Sequence, residues 1–415
     1  MKVAYIFEQF PCPSETFALR EIESLRRRGF DITVLCVRRC GDGSDVAGAA
    51  RIVAAPKRFS RRWFVALGHV FFHRWKRLPN LTALWWRLAI RSPRRAARLL
   101  LDLPMIGEFA KVMAKEHIHH VHGYWLGQPG RLAAATSAVT GATMSLSGHA
   151  RDIFTETVTL DVLARRAEFI AVCTEQGLHH LRQTLGSKDS PKLHLVRHGL
   201  LSEEMSEVQA GDGDRNGHSA RAGDADSLRQ IVAIGRLVEK KGFDVLLHAF
   251  KQVIQQRGDV RLTIIGDGPL EESLKTLDSE LSVAGSVTFA GWLDHREAMR
   301  CLQYASVLAV PSVVAVDGDR DGVPNVILEA FACGVPVVAS RLNGIAEAVE
   351  HEVSGLLADP GEPASLADAL CRILGDRSLV ERLAHGGRRV LRERFDASAN
   401  SGQLAALFAE AMSSS

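Results

Sequence analysis

Residues 321–340 read DGVPNVILEAFACGVPVVAS, and this stretch decides the architecture. Pro324 suits the first turn of a helix, where its fixed φ is already helical and its missing N–H is not needed. The spacing predicts a helix over Asn325–Gly334 and then an apolar strand over Val335–Ser340. Asp321 therefore falls in the loop before the helix, and Glu329 in its first turns. The same alternation runs upstream. Strands are expected at Gln230–Ile234, Val260–Gly266, Val287–Ala290 and Val307–Val310, separated by helices over Gly242–Gln256, Leu270–Val283 and Arg296–Ala305. Strand, helix, strand with short connections implies a parallel sheet flanked by helices.

The amino-terminal half repeats the pattern. Residues 2–7 and the run from Phe30 to Val37 read as buried strands around a helix over Glu15–Arg28. Further strands are expected at His120–Tyr124, Thr143–Ser147, Phe169–Cys173 and Leu193–Val196. Between the halves, residues 210–227 (AGDGDRNGHSARAGDADS) have almost no large apolar side chain, the composition of a flexible linker. The expectation is an α/β protein with two doubly wound, Rossmann-like domains facing across a cleft. They would span 1–205 and 229–390, joined by a linker over 206–228, with a helix over 391–415 crossing back to the first domain. In such sheets ligands bind outside the carboxyl ends of the strands, so the functional residues belong in the loops that follow them.

Composition narrows the class. With 415 residues, 46% hydrophobic and 24% charged, the chain is neither disordered, collagenous nor a disulfide scaffold. A net charge of +3 gives no argument for nucleic acid. Seven cysteines form no CxxC pair and no zinc spacing, which points to a reducing, cytoplasmic compartment. No signal segment is expected in MKVAYIFEQF and no apolar run is long enough to span a bilayer.

Residues 46–101 differ from the rest, with thirteen Lys or Arg, four of the six Trp and no Asp or Glu. Stretches such as WFVALGHVFFHRWKRL (63–78) interleave apolar and basic residues at helical spacing. That is the composition of an interfacial helix against anionic lipid, and residues 57–98 are the expected contact. The alternative is a helical insert whose Trp pack on the first domain.

Two constellations carry chemistry. Arg236 follows one strand and Lys241 opens the next helix, so two cations meet near a helix N-terminus, a place for a dianion such as a diphosphate. Asp321 and Glu329 offer carboxylates, strong acceptors for sugar or ribose hydroxyls. The run from His117 to His122 is weak as a metal site, since strand alternation splits its side chains between two faces. Asp317-Gly318-Asp319 fits solvated loop acids better than metal ligands.

Taken together, Arg236 with Lys241, the Gly266-Asp267-Gly268-Pro269 loop, Pro311-Ser312, the element from Asp321 to Glu329 and Gly334-Val-Pro-Val-Val-Ala resemble glycosyltransferase family 4. Phe10-Pro-Cys-Pro-Ser-Glu-Thr-Phe, His120-Val-His-Gly and Ser147-Gly-His-Ala-Arg-Asp-Ile-Phe are similar to its colanic-acid and exopolysaccharide branch. The resemblance implies the GT-B fold and transfer, with retention, from a UDP- or GDP-linked sugar to a lipid-linked saccharide. It implies no metal and no further cofactor, and a position on the inner face of the cell membrane. Arg236 and Lys241 would hold the diphosphate, Glu329 the ribose, and Asp321 the donor sugar, where the family more often has Glu. Gly266, Gly268, Asn325, Gly344 and Ile345 would line the donor. His149 would contact the donor sugar or reacting centre. Ser14, Glu15, Thr16, His122 and Asp152 would form the acceptor side. No carboxylate of the amino-terminal half is identifiable as a general base. The alternatives are a GT-B epimerase or phosphorylase, and a non-catalytic binding subunit.

Overall fold

A computed structural model of the chain describes residues 1–12, 15–40, 51–186, 190–205 and 229–413. The polypeptide divides into two compact units, Met1–His198 with Ala397–Ser415, and Gly199–Asp396. The expected linker over 206–228 lies outside the described residues.

The first unit holds β1 (Lys2–Phe10), β2 (Asp31–Arg39), β3 (Arg51–Ala54), β4 (His120–Gly123), β5 (Thr143–Gly148), β6 (Ile170–Val172) and β7 (Leu193–Leu195) in the order β3-β2-β1-β4-β5-β6-β7. Every pairing is parallel, with Tyr5 beside Val34 on one flank and His122 on the other. Val3 to Phe7 are buried without interruption, because helices cover both faces of a parallel sheet. The helix Ala397–Ser413 belongs to this unit, where Phe408 packs edge-on against His120, His122 and Tyr5.

The second unit holds β8 (Arg229–Ile234), β9 (Val260–Ile265), β10 (Val287–Gly291), β11 (Val307–Val310), β12 (Val337–Ser340) and β13 (Leu356–Ala358) in the order β10-β9-β8-β11-β12-β13, again all parallel. The helix Asn325–Cys333 and β12 follow Pro324 as the sequence predicts, and Gly334 ends the helix in the left-handed conformation. The units part at 198/199 and 396/397 rather than at 205 and 390. The reason is packing: Leu200, Met205 and Phe395 are buried in the core of the second unit, and Leu200 N–H donates to the Phe395 carbonyl at 3.0 Å.

The basic insert is not helical throughout. Its first described residues, Arg51–Ala54, form the edge strand β3 beside β2. Helices then cover Arg61–Gly68, Leu78–Arg91 and Pro93–Leu101, and the Trp85 indole donates to the Ala96 carbonyl at 3.0 Å, tying the last two together. Among the described residues no helix is long and apolar enough to cross a membrane.

Candidate active site

In the second unit the chemistry gathers after β8 and β11. Arg236, two residues beyond β8, is exposed and makes no ion pair among the described residues. The loop that holds it rests on the Gly266-Asp267-Gly268 turn, since Leu237 N–H donates to the Asp267 carbonyl at 2.7 Å. A Cβ on Gly266 would stand 2.0 Å from the Gly235 carbonyl oxygen, so Gly266 and Gly268 support Arg236 through backbone contact.

Glu239–Lys241 form a 3-10 turn pressed onto the segment after β11. Gly242 closes it with φ +62°, and a Cβ there would lie 2.1 Å from the Pro311 carbonyl oxygen. Val313 N–H donates to the Lys240 carbonyl at 2.8 Å, and Val316 N–H to Glu239 Oε1 at 3.0 Å. Lys241 Nζ reaches Asp321 Oδ2 at 2.7 Å, and the Ser312 hydroxyl donates to the same oxygen at 2.7 Å. Burial pushes the Asp321 carboxyl up, but Lys241, Lys240 and these hydrogen bonds together bring it below the ordinary value.

This placement corrects several expectations. Asp321 is buried, with its carboxylate turned to two lysines and a serine, so it is not offered to a sugar. Asp319 is no solvated loop acid, because Lys240 Nζ lies 3.1 Å from it. Ile345 is fully buried in the core, which removes its side chain from any donor contact. Gly344 abuts the loop instead, since a Cβ on it would stand 2.7 Å from Gly322 Cα. Asn325 and Glu329 lie one turn apart on the helix and are both half-buried, while Val326, Ile327 and Leu328 fill the core.

The first unit collects a different set after β1, β4, β5 and β7. His149 follows β5, stacks on His198 with ring centroids 5.0 Å apart and planes 7° apart, and lies 4.2 Å from Trp125. Among the described residues neither nitrogen of its ring has a hydrogen-bond partner. Burial, then the neighbouring His198 and His122, hold its pKa well below the usual value, so the ring is neutral at pH 7. Glu15 sits at the cap of the helix Thr16–Arg27 without capping it. Burial pushes its carboxyl up to about 7 against a lowering hydrogen bond from Trp125, and among the described residues Oε2 has no hydrogen-bond partner. Thr16 begins that helix and is half-buried; Ser14 lies outside the described residues.

Two acceptor-side expectations fail on burial. His122 is fully buried and its nitrogens are taken by the Ser145 and Ser147 hydroxyls at 2.8 and 2.9 Å. Asp152 is also buried and accepts from the backbone N–H of Leu126 and, at 2.7 Å, of His149, so it orients the His149 backbone. Sequence reasoning missed Trp125, His198 and the buried Glu21, which the Tyr5 hydroxyl reaches at 2.9 Å. Trp125 and His198 stand in loops after β4 and β7, the position that the strand-end rule marks.

Residues 229–376 match the family described as Glycosyl transferases group 1. This segment is a group 1 glycosyltransferase domain. It contains Arg236, Lys241, Asp321 and Glu329, the residues around which the second-unit site is built. The likeness to curated relatives extends beyond the group 1 domain. The chain is 28% identical over 399 residues to the amylovoran biosynthesis glycosyltransferase AmsK of Erwinia amylovora, covering 90% of each. It is 28% identical over 381 residues to the putative colanic acid biosynthesis glycosyltransferase WcaL of Escherichia coli, covering 89% of this chain and 90% of that one. Among solved structures, HepE of Anabaena with UDP-glucose aligns with a TM-score of 0.72 at 16% identity, over 99% of this chain and 100% of that one. WaaG, a glycosyltransferase involved in lipopolysaccharide biosynthesis, aligns with a TM-score of 0.65 at 14% identity, over 97% and 98%. The two Rossmann-like units, the second of which contains the group 1 domain, are those of the GT-B fold.

Proposed function

We propose that this chain transfers a sugar, with retention, from a nucleotide-diphosphate donor to a lipid-linked saccharide in the assembly of a cell-surface polysaccharide. The observation that carries the reading is the pair of cations, Arg236 and Lys241, on strand-end loops of the group 1 domain. Charge develops on the departing diphosphate in the transition state, and cations brought against it there stabilise it. The reaction in this reading needs no metal, so a chelator leaves turnover intact. HepE was solved with UDP-glucose, and AmsK and WcaL are named for exopolysaccharide synthesis; both support the reading without choosing the base or the sugar.

Thermal stabilisation by UDP, GDP and ADP tests the donor half, because a ligand that binds only the native state raises its stability. One nucleotide is expected to stabilise the wild type and to lose that effect in Lys241→Ala. Equal stabilisation of the variant would sink the assignment.

The insert supports a place on the inner, anionic face of the membrane. Phe59, Phe72 and Ile90 are 76%, 80% and 80% exposed, and Trp75 and Trp86 are exposed with them. Some of its cations are committed to holding the helices: Arg62 pairs with Glu108 at 2.7 Å, Arg91 with Asp161 at 2.7 Å and Arg95 with Glu156 at 2.6 Å. Lys57, Arg61, Lys76 and Arg94 are exposed, with Lys76 Nζ 5.8 Å from the centroid of the Trp75 ring, which is how an interfacial surface divides its work. Co-sedimentation with vesicles containing anionic lipid is expected for the wild type and not for a variant carrying Phe59→Ser, Phe72→Ser and Trp75→Ser. Undiminished sedimentation of that variant would remove the insert as the anchor.

A further inference from the structure

Lys241 has two claimants. As a diphosphate ligand it must turn toward the donor, yet it holds Asp321 Oδ2 at 2.7 Å. The Asp321 side chain is 8% exposed, and a buried carboxylate stripped of its counter-ion is among the costliest groups a protein can hold. On its other oxygen, Oδ1, stands Lys240 Nζ at 3.7 Å, too far for a hydrogen bond and already committed to Asp319 at 3.1 Å.

We propose that Lys240 is the stand-by counter-ion of Asp321, closing that 3.7 Å gap when Lys241 leaves for the donor diphosphate. The proposal rests on the reading of Lys241 as a diphosphate ligand. Both lysines lie in one 3-10 turn that is held by Val313 at the Lys240 carbonyl, by Val316 at the Glu239 side chain and by Pro311 against Gly242, so the exchange needs side-chain torsions alone. Asp319 can be left behind more cheaply than Asp321, since its side chain is 17% exposed against 8%. In the free protein the two lysines and two aspartates balance in charge. Once a diphosphate arrives, it and Asp321 would compete for one ammonium if Lys240 were absent.

The test is a titration of the stabilising nucleotide diphosphate into wild type, Lys240→Met, Asp321→Asn, the double variant, Asp319→Asn and Lys241→Ala, by calorimetry. Lys240→Met is expected to bind about tenfold more weakly while keeping a ligand-free melting temperature near that of wild type, because Lys241 still covers Asp321 there. With Asn at position 321 no counter-ion is needed, so adding Lys240→Met is expected to change affinity by less than about twofold. Asp319→Asn frees Lys240 and is expected to bind at least as well as wild type. Equal losses from Lys240→Met in both backgrounds would overturn the proposal, as would no loss or a loss in Asp319→Asn. Absence of binding to wild type, or full binding to Lys241→Ala, overturns the diphosphate reading itself and the proposal with it.

Discussion

His122 Nε2 lies 2.9 Å from the Ser147 hydroxyl, and this contact ends a hydrogen-bonded chain that runs from Thr143 through His120, Ser145 and His122. In one orientation of the chain the Thr143 hydroxyl donates to the His119 carbonyl at 3.3 Å, and its oxygen accepts from His120 Nδ1, 2.8 Å away. A neutral imidazole then accepts at Nε2, where the Ser145 hydroxyl donates at 2.7 Å. Ser145 can only accept from His122 Nδ1 at 2.8 Å, which leaves His122 Nε2 to accept from Ser147. Ser145→Ala orphans a nitrogen on each of two buried rings. It should cost about 2–4 kcal/mol in urea unfolding, and a loss under about 0.5 kcal/mol would show that the chain does not stabilise the sheet.

Acid should act on these rings. Burial lowers His120 to about 3 and His198 to about 4, and holds His122 and His149 well below the usual value. Their unfolded forms bind protons below about pH 6.5 and the native forms do not, so their contribution is lost as pH falls through 6.5. Buried Glu21 works in the opposite sense. Its carboxyl, raised to about 7, is protonated in the native state while the unfolded one ionises near 4.5, so its contribution fades as pH rises from 4.5 to 7. Glu21→Gln keeps the acceptor for Tyr5 and deletes that opposition. Stability measured between pH 4.5 and 6.5 should then climb more steeply than in wild type, by about 1.4 kcal/mol per pH unit.

The lysine turn depends on Gly242. Alanine there meets both the left-handed backbone and the Pro311 carbonyl, so the turn must shift. Gly242→Ala should lose nucleotide stabilisation as fully as Lys241→Ala, and should also cost about 2–3 kcal/mol of stability, which Lys241→Ala should not match. Retention of nucleotide binding would mean that the turn tolerates displacement.

Gly107 does the same for the insert. A Cβ on it would sit 1.9 Å from the Ala66 carbonyl oxygen, where the helix Arg61–Gly68 crosses the helix Leu103–Glu116. Gly107→Ala should push the helices apart, cost about 2–4 kcal/mol and expose residues 61–77 to limited proteolysis. Cleavage no faster than in wild type would show that the insert is held by other contacts.

Most of the sheet was legible because parallel strands buried on both faces read as apolar runs, as in Val3–Phe7 and Val335–Ser340. β3 was not, since four residues at a sheet edge carry too little pattern to stand out inside a basic stretch. Arg236 and Lys241 were legible from their place after a strand. The burial of Asp321 was not, because it depends on Ser312 and two lysines about eighty residues upstream converging on one carboxylate. Trp125 and His198 carry no motif; many loop residues share their place after a strand, and it is ring contact with His149 that singles them out.

The covering of the His and Ser chain by Phe408 sets an order on synthesis. Residues 397–413 leave the ribosome after the whole second unit, so the first sheet waits with one aromatic face bare while the later unit can already close. The half made first is thus finished last, and its open face is what a chaperone would meet in the interval.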